Sequence, residues 1–135
     1  GLAAGAALAL PDVPITVVEP EGWDDMARSL AAGEIVPVGP NPPPTRCDAL
    51  QTLRVSPITF GILHAHGAKG VAVSEDEVAH AMRVAFARLR LVVEPGGAVA
   101  FAAVLTSKVA ITERTLVTLS GGNVDPALYA AIITA

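Results

Sequence analysis

The sequence is short of several residue types, and each shortage removes a class of protein. It contains one cysteine, Cys47, so no intrachain disulfide is possible, and this suits the reducing cytoplasm in which we expect the protein to lie. The net charge is −4, and only two of the nine basic residues are lysine. The seven arginines are scattered. Because nucleic-acid binding needs clustered basic side chains, we expect no nucleic-acid partner.

Long hydrophobic runs are also absent, although the composition is apolar. Hydrophobic residues make up 52% of the chain and the mean hydropathy is +0.53. No apolar stretch approaches the roughly 18 residues of a membrane helix, so we expect no membrane span. We expect two causes for the high hydropathy. One is a sheet buried on both faces, and the other is a surface that packs against a missing partner.

The hydrophobic pattern predicts helices that alternate with short strands. This order predicts an α/β fold, with a parallel twisted sheet and helices on both faces. A capping box of Ser74 and Glu77 marks one helix start, and Asp125 before Pro126 marks another. The expected strands are 15–18, 70–73 and 115–120, and the expected helices are 2–10, 23–32, 56–66, 75–90, 96–108 and a short one from 126.

Three loops that follow strand-like segments carry polar groups suited to a site, because ligands of such sheets bind beyond the carboxyl ends of strands. In 119–123 (LSGGN), a Ser120 hydroxyl precedes two glycines that permit close approach of a ligand, or form an ordinary turn. In 93–97 (VEPGG), Glu94 is either a helix cap or a functional carboxylate.

The third of these loops and the first two residues of the chain also have both a functional and a structural interpretation. The acidic segment 19–25 (EPEGWDD) offers hard oxygen donors of the kind that Mg²⁺ or Ca²⁺ binds, but the sequence alone favours an acidic loop with a helix start. Gly1-Leu2 opens a helix without a capping side chain, where backbone N–H groups can hold a phosphate. One glycine alone does not establish such a site.

Taken in order, six segments resemble the C-terminal part of the threonine dehydratase and serine racemase family of fold-type II pyridoxal-phosphate enzymes. They are GLAAG, VEPEGWDD, RCDAL, VSEDEV, VEPGGAVA and LSGGNVD. The resemblance covers nearly all of residues 1–135, which we expect to be the C-terminal portion of such an enzyme. The sequence begins with glycine inside a Gly/Ala-rich segment, so we expect a fragment whose N-terminal, lysine-bearing part is absent.

The resemblance implies a set of pyridoxal-phosphate-binding residues. Gly1 would be the last glycine of the phosphate loop, and Leu2 would follow it. Ser120 would hydrogen-bond the pyridine nitrogen, and Glu94 would lie near the ring. Ala49 stands where the family usually has a glycine beside the cofactor.

The resemblance also implies a divalent-cation site, for Mg²⁺ or Ca²⁺. Glu19, the main-chain carbonyl of Trp23, and Asp25 match the site found in part of the family. Trp23 replaces a smaller residue, which a backbone ligand tolerates.

The implied reaction is loss of water and ammonia from a small hydroxyamino acid, threonine or serine, to give a 2-oxo acid. A serine racemase or a 3-hydroxyaspartate dehydratase is an alternative, and so is a non-catalytic α/β interaction module descended from such an enzyme. The resemblance further implies a homo-oligomer.

Neither Lys69 nor Lys108 has the Ser-Phe-Lys-like context of the family's Schiff-base lysine. We therefore expect no catalytic residue here and no activity from this chain alone.

Overall fold

In the computed structural model, which describes residues 1–135, a two-stranded parallel sheet lies between two groups of helices. Strand β1 (Thr16–Pro20) pairs with β2 (Lys69–Val73), with Thr16 opposite Lys69 and Pro20 opposite Val73. The helices are α1 (Leu2–Ala9), α2 (Asp25–Ala32), α3 (Pro57–Ala65), α4 (Glu75–Val84), α5 (Pro95–Leu105) and α6 (Pro126–Ile133). The predicted α/β class is confirmed.

A separate hydrophobic core lies on each face of the sheet, because successive strand side chains point to opposite sides. Val17 joins the smaller core, with residues of α1, α2 and α3. Val18, Val71 and Val73 belong to the larger core, which α4, α5 and α6 complete. The expectation of helices on both faces is therefore confirmed.

Helix α2 packs unusually close to strand β2 at one glycine. Gly70 lies directly against the Cα and Cβ atoms of Ala27, and any side chain at position 70 would overlap them. A strand interior ordinarily favours residues with side chains, so this glycine marks a close approach of two backbones.

The predicted helix ends are largely confirmed. Ser74 and Glu77 form the reciprocal capping box of α4, with the Glu77 carboxylate 2.7 Å from the Ser74 N–H. Asp125 caps α6, since its side chain accepts from Leu128 N–H at 2.8 Å. Gly33 ends α2 in the left-handed conformation, with φ of 77°.

Two predicted elements differ in the structure. The strand expected at 115–120 does not form, and Leu116 within it is 87% exposed. An extended segment becomes a strand only when its backbone hydrogen-bonds to a neighbouring strand. No strand lies beside residues 115–120, because the sheet contains only β1 and β2. The helix expected over 75–90 is α-helical only to Val84, and it continues as a π turn (Ala85–Leu89) that ends at Arg90 in the left-handed conformation.

None of the helices combines the length and the apolar character that crossing a bilayer requires.

The contact between α2 and β2 predicts opposite effects for two glycine-to-alanine changes. Gly70→Ala should lower the free energy of unfolding by about 1–3 kcal/mol, because its methyl group overpacks against the α2 backbone. Gly61→Ala, in α3 with open space around it, should be neutral or stabilising by up to about 1 kcal/mol, because alanine favours a helix. Urea unfolding followed by circular dichroism measures both, and equal effects would contradict this packing.

Candidate functional site

A cavity of about 440 Å³ lies between the N-terminus of α1, strand β1 and the N-terminus of α5. Hydrophobic residues supply 15 of its 24 lining residues. Both the volume and the apolar lining are typical of small-molecule sites, which measure roughly 300–1,000 Å³.

The N-terminus of α1 presents free backbone donors to this cavity. Gly1 is the capping residue and has no side chain, and the first hydrogen bond within the helix runs from Gly5 N–H to the Gly1 carbonyl. The amides of Leu2, Ala3 and Ala4 are therefore unused by the helix, and these three residues line the cavity. Such an end favours an anion, because the N–H groups and the helix dipole both attract negative charge.

The opposite wall is formed where the start of α5 meets the 119–123 loop. Gly97 lies so close to the Ser120 carbonyl that a side chain at position 97 would overlap it. The Ser120 N–H points to the Gly97 carbonyl at 3.4 Å, and both residues line the cavity. Ser120 is exposed, and its hydroxyl forms no hydrogen bond within the chain, so it is free to bond a ligand.

Glu94 holds the glycine turn next to this wall rather than lining the cavity. Its carboxylate accepts the Asn123 N–H at 3.0 Å and packs against Gly121, and its own N–H donates to the Gly121 carbonyl at 3.2 Å. Gly121 has φ of 78°, and a side chain there would overlap the carboxylate. Glu94 thus fixes the loop that carries Ser120.

The short 3-10 turn Asp48–Leu50 supplies another part of the wall. Leu50 lines the cavity beside Gly96, and a Cβ placed on Gly96 would lie 3.5 Å from Leu50 Cγ and 3.8 Å from Ala49 Cβ. Ala49 therefore supports the wall without being one of its lining residues.

The sequence interpretation missed two cavity residues next to Ser120. Leu116, although 87% exposed, and Thr118 also line the cavity, so every second residue of 116–120 borders it although no strand forms. This two-residue period is typical of extended backbone, and the predicted strand already contained that signal.

Glu19, one of the residues predicted to bind a cation, caps the start of helix α2. Its carboxylate accepts the N–H groups of Met26 at 3.2 Å and Ala27 at 2.8 Å, at the start of α2. Burial raises the pKa of Glu19 to about 7, and the charges of Asp25 and Asp24 add to that rise. Glu19 also lines the cavity, so the two predicted sites are neighbours.

Asp25 is 1% exposed, and neither oxygen of its side chain has a hydrogen-bond partner. Burial raises its pKa, and the nearby main-chain amides of Asp25 and Val55, neither of which is in hydrogen-bonding geometry, offset this effect only in part. A buried carboxylate without a donor requires a proton or a cation. No cluster of three or more His, Cys, Asp or Glu side chains surrounds it, so a cation would also need main-chain carbonyls such as that of Trp23.

A family model described as pyridoxal-phosphate dependent enzyme matches residues 1–122. The chain is 35% identical over 118 residues to a serine racemase of Dictyostelium discoideum, covering 85% of this chain and 36% of that protein. It is also 35% identical over 139 residues to L-threo-3-hydroxyaspartate ammonia-lyase of Saccharomyces cerevisiae, covering 99% of this chain and 42% of that protein.

Among solved structures, a threonine deaminase from T.th. is similar over 90% of this chain and 44% of that one, with 42% identity and a TM-score of 0.74. The chain belongs to the pyridoxal-phosphate dependent enzyme family. It spans less than half the length of these relatives.

The cavity fits the cofactor of this family in several respects. The free amides of α1 suit a phosphate, the apolar walls suit a ring, and Gly97 lets the main chain of Ser120 approach closely. The structure brings Gly1, Leu2 and Ser120 to the cavity itself, with Ala49 and Glu94 immediately behind its walls. Their contacts with a cofactor stay predictions.

Neither lysine of the chain lines this cavity. Lys108 instead joins three elements, since its Nζ lies 2.7 Å from Glu77, 2.9 Å from the Ala72 carbonyl and 3.6 Å from Glu21. The hydrogen bond to Glu77 raises the pKa of Lys108, which keeps the amine charged and therefore a poor nucleophile.

This ion pair predicts a pH-dependent contribution to stability. Desolvation raises the pKa of Glu77, but the hydrogen bonds to Lys108 and Ser74 outweigh it and leave the pKa below 4.5. A lowered folded-state pKa stabilises the fold above the unfolded pKa, and this stabilisation is lost as pH falls through the folded value. Lys108→Met should therefore cost about 0.5–1 kcal/mol at pH 7 and progressively less below pH 4.5.

Urea unfolding between pH 3 and pH 7 measures this effect (roughly the span over which carboxylates titrate). Lys69→Met is the matched control, because Lys69 is exposed and forms no ion pair within 4.0 Å. A penalty for Lys108→Met that does not change with pH would contradict the assigned pairing.

Proposed function

We propose that this chain is part of a threonine or serine dehydratase, which removes water and ammonia from a hydroxyamino acid to give a 2-oxo acid. The main support for this proposal is the cavity that lies between the free amides of α1 and the Gly97–Ser120 wall. The similarity to a threonine deaminase, 42% identical over 90% of this chain, supports the same choice.

In this proposal the cofactor is held from three sides. Gly1 and Leu2 bind its phosphate through main-chain N–H groups, and Ser120 offers a hydroxyl to the ring nitrogen. Glu94 keeps the Ser120 loop in place, and Leu50, with Ala49 beside it, forms the side wall. When bound, the cofactor supplies an electron sink for bond cleavage in the amino acid. A neutral hydroxyl is not a counterion for a positively charged ring nitrogen. The cofactor would therefore be a weaker electron sink, which suits elimination of water.

The covalent lysine is proposed to come from a segment outside residues 1–135. Lys69 is absent from the cavity wall, and Lys108 is engaged with two carboxylates. The chain alone is therefore proposed to be inactive, and the lysine-bearing segment is its necessary partner.

Two relatives favour a second candidate reaction at the same site. A serine racemase and an L-threo-3-hydroxyaspartate ammonia-lyase are each 35% identical to the chain. Racemisation of serine, or dehydration of 3-hydroxyaspartate, would use the same cofactor wall with different contacts to the substrate side chain.

The activity test compares this chain with a longer protein in which it follows a lysine-bearing segment. Threonine, serine and 3-hydroxyaspartate are supplied separately, and 2-oxo acid release and chiral chromatography report elimination and racemisation. We expect turnover only from the longer protein. Ser120→Ala should lower it about tenfold or more, because the hydroxyl at the ring nitrogen is lost.

Ser56→Ala is the control, since Ser56 is exposed and its side chain makes no capping hydrogen bond. Absence of turnover with all three substrates, although the longer protein folds and binds pyridoxal phosphate, would favour the non-catalytic interaction module instead.

We also propose that Glu19, the Trp23 carbonyl and Asp25 bind Mg²⁺ or Ca²⁺. The observation behind this is the buried Asp25 carboxylate without a donor, next to a second carboxylate whose pKa burial raises to about 7. A cation would stabilise both carboxylates in their charged forms, which are the forms that hard cations bind.

The cation proposal predicts stabilisation by metal that depends on Asp25. At a metal concentration one hundred times the dissociation constant, the free energy of unfolding should rise by about 2.7 kcal/mol. Asp25→Asn should remove this response, while its stability without metal should be equal to or greater than that of the wild type. Thermal unfolding with MgCl₂, CaCl₂ or EDTA measures both, and Asp12→Asn in an exposed turn is the control. An equal response in Asp25→Asn would contradict the site.

A further inference from the structure

The single tryptophan of the chain is hydrogen-bonded to the proline-rich segment that follows α2. Trp23 is 8% exposed, and its indole N–H donates to the Pro43 carbonyl at 2.8 Å. Gly22, with φ of 81°, lies so close to the Pro43 ring that a side chain would overlap it. We call residues 40–47 (PNPPPTRC) the proline strap.

The other end of the proline strap is hydrogen-bonded to α4 and packs into the larger core. The Thr45 hydroxyl donates to the Glu75 carboxylate, which also accepts the Arg46 N–H at 3.1 Å. The Cys47 N–H donates to Thr45 Oγ1 at 3.0 Å, and Cys47 itself is fully buried. Only Pro44 separates Pro43 from this end, so we expect movement of the strap at Pro43 to be transmitted along the chain to residues 45–47.

The proline strap leads straight into the cavity wall. The Leu50 N–H donates to the Cys47 carbonyl at 2.9 Å, which closes the turn that presents Leu50 to the cavity beside Gly96. Four of the eight strap residues are proline and have no N–H to donate. The strap is thus held by contacts from outside itself, and the Trp23 indole is its attachment at the Pro43 end.

We propose that Trp23 is a positioning residue, which holds the proline strap and through it the Leu50 wall of the cavity. Contact between the Trp23 ring and a ligand is not required. That this wall serves a cofactor rests on the proposed function, whereas the coupling from Trp23 to Leu50 does not.

The test uses Cys47, the only cysteine, as a reporter at the far end of the strap. Burial raises the pKa of its thiol to about 11, so reaction with iodoacetamide is slow unless the segment opens. Trp23→Phe keeps an aromatic ring but removes the N–H donor. We expect labelling of Cys47 to become about fivefold faster, the factor that corresponds to loss of one hydrogen bond. Exchange of the Leu50 amide hydrogen should accelerate similarly.

Leu63→Ala is the matched control, because Leu63 lies in the smaller core on the other face of the sheet. Urea is adjusted so that the two variants have the same global free energy of unfolding. If Trp23→Phe and Leu63→Ala then label at the same rate, Trp23 contributes only general stability and the proposal is wrong.

Gly22→Ala provides a second variant that retains the tryptophan, should Trp23→Phe not fold. The added methyl group at positive φ should push Pro43 away, shift Trp23 emission to longer wavelength and accelerate Cys47 labelling together. A shift of Trp23 emission to longer wavelength without faster labelling of Cys47 would overturn the proposed coupling between Trp23 and the cavity wall. Both assays omit pyridoxal phosphate, so their outcome is independent of whether the proposed enzymatic function is correct.

Discussion

The backbone contact between Gly97 and Ser120 is the constraint on which the site depends. It brings the start of α5 against a loop far along the chain, with no room for a side chain at position 97. The same contact closes one wall of the cavity and leaves the Ser120 side chain exposed there. Glu94, which immediately precedes α5, secures it by accepting the Asn123 amide. The proposed cofactor site depends on this small set of backbone contacts.

The sheet organises the remaining parts of the site by separating two cores. One core sets α1 against β1, so that the free amides at the start of α1 open into the cavity. The other core carries α5 and the Leu50 turn. The half-buried Glu19 lies at the carboxyl end of β1 and the buried Asp25 follows it, at the edge where ligands of parallel sheets bind. Apolar packing thereby places the groups proposed to bind the phosphate and the ring, together with the acidic groups, around one region.

Helices, caps and the two paired strands were predictable from local chemistry, as the Ser74–Glu77 box and Asp125–Pro126 show. The strand expected at 115–120 was not, because pairing depends on a neighbour that local pattern does not supply. Ser120 and Gly1 were predicted to be site residues from the sequence and both line the cavity, but the close approach of Gly97 required three-dimensional structure. The Trp23–Pro43 hydrogen bond joins residues 20 positions apart, and no spacing rule predicts it.

The central claim is that this chain forms a cofactor wall without the lysine that binds the cofactor covalently. Adding pyridoxal phosphate, reducing with borohydride and locating the label by mass spectrometry tests it most directly. The account predicts either no absorbance band of an imine near 410–420 nm (roughly, for such cofactor imines) or scattered labelling divided between Lys69 and Lys108. Such a band together with stoichiometric labelling of one lysine would contradict the account, because it would place the covalent lysine within this chain.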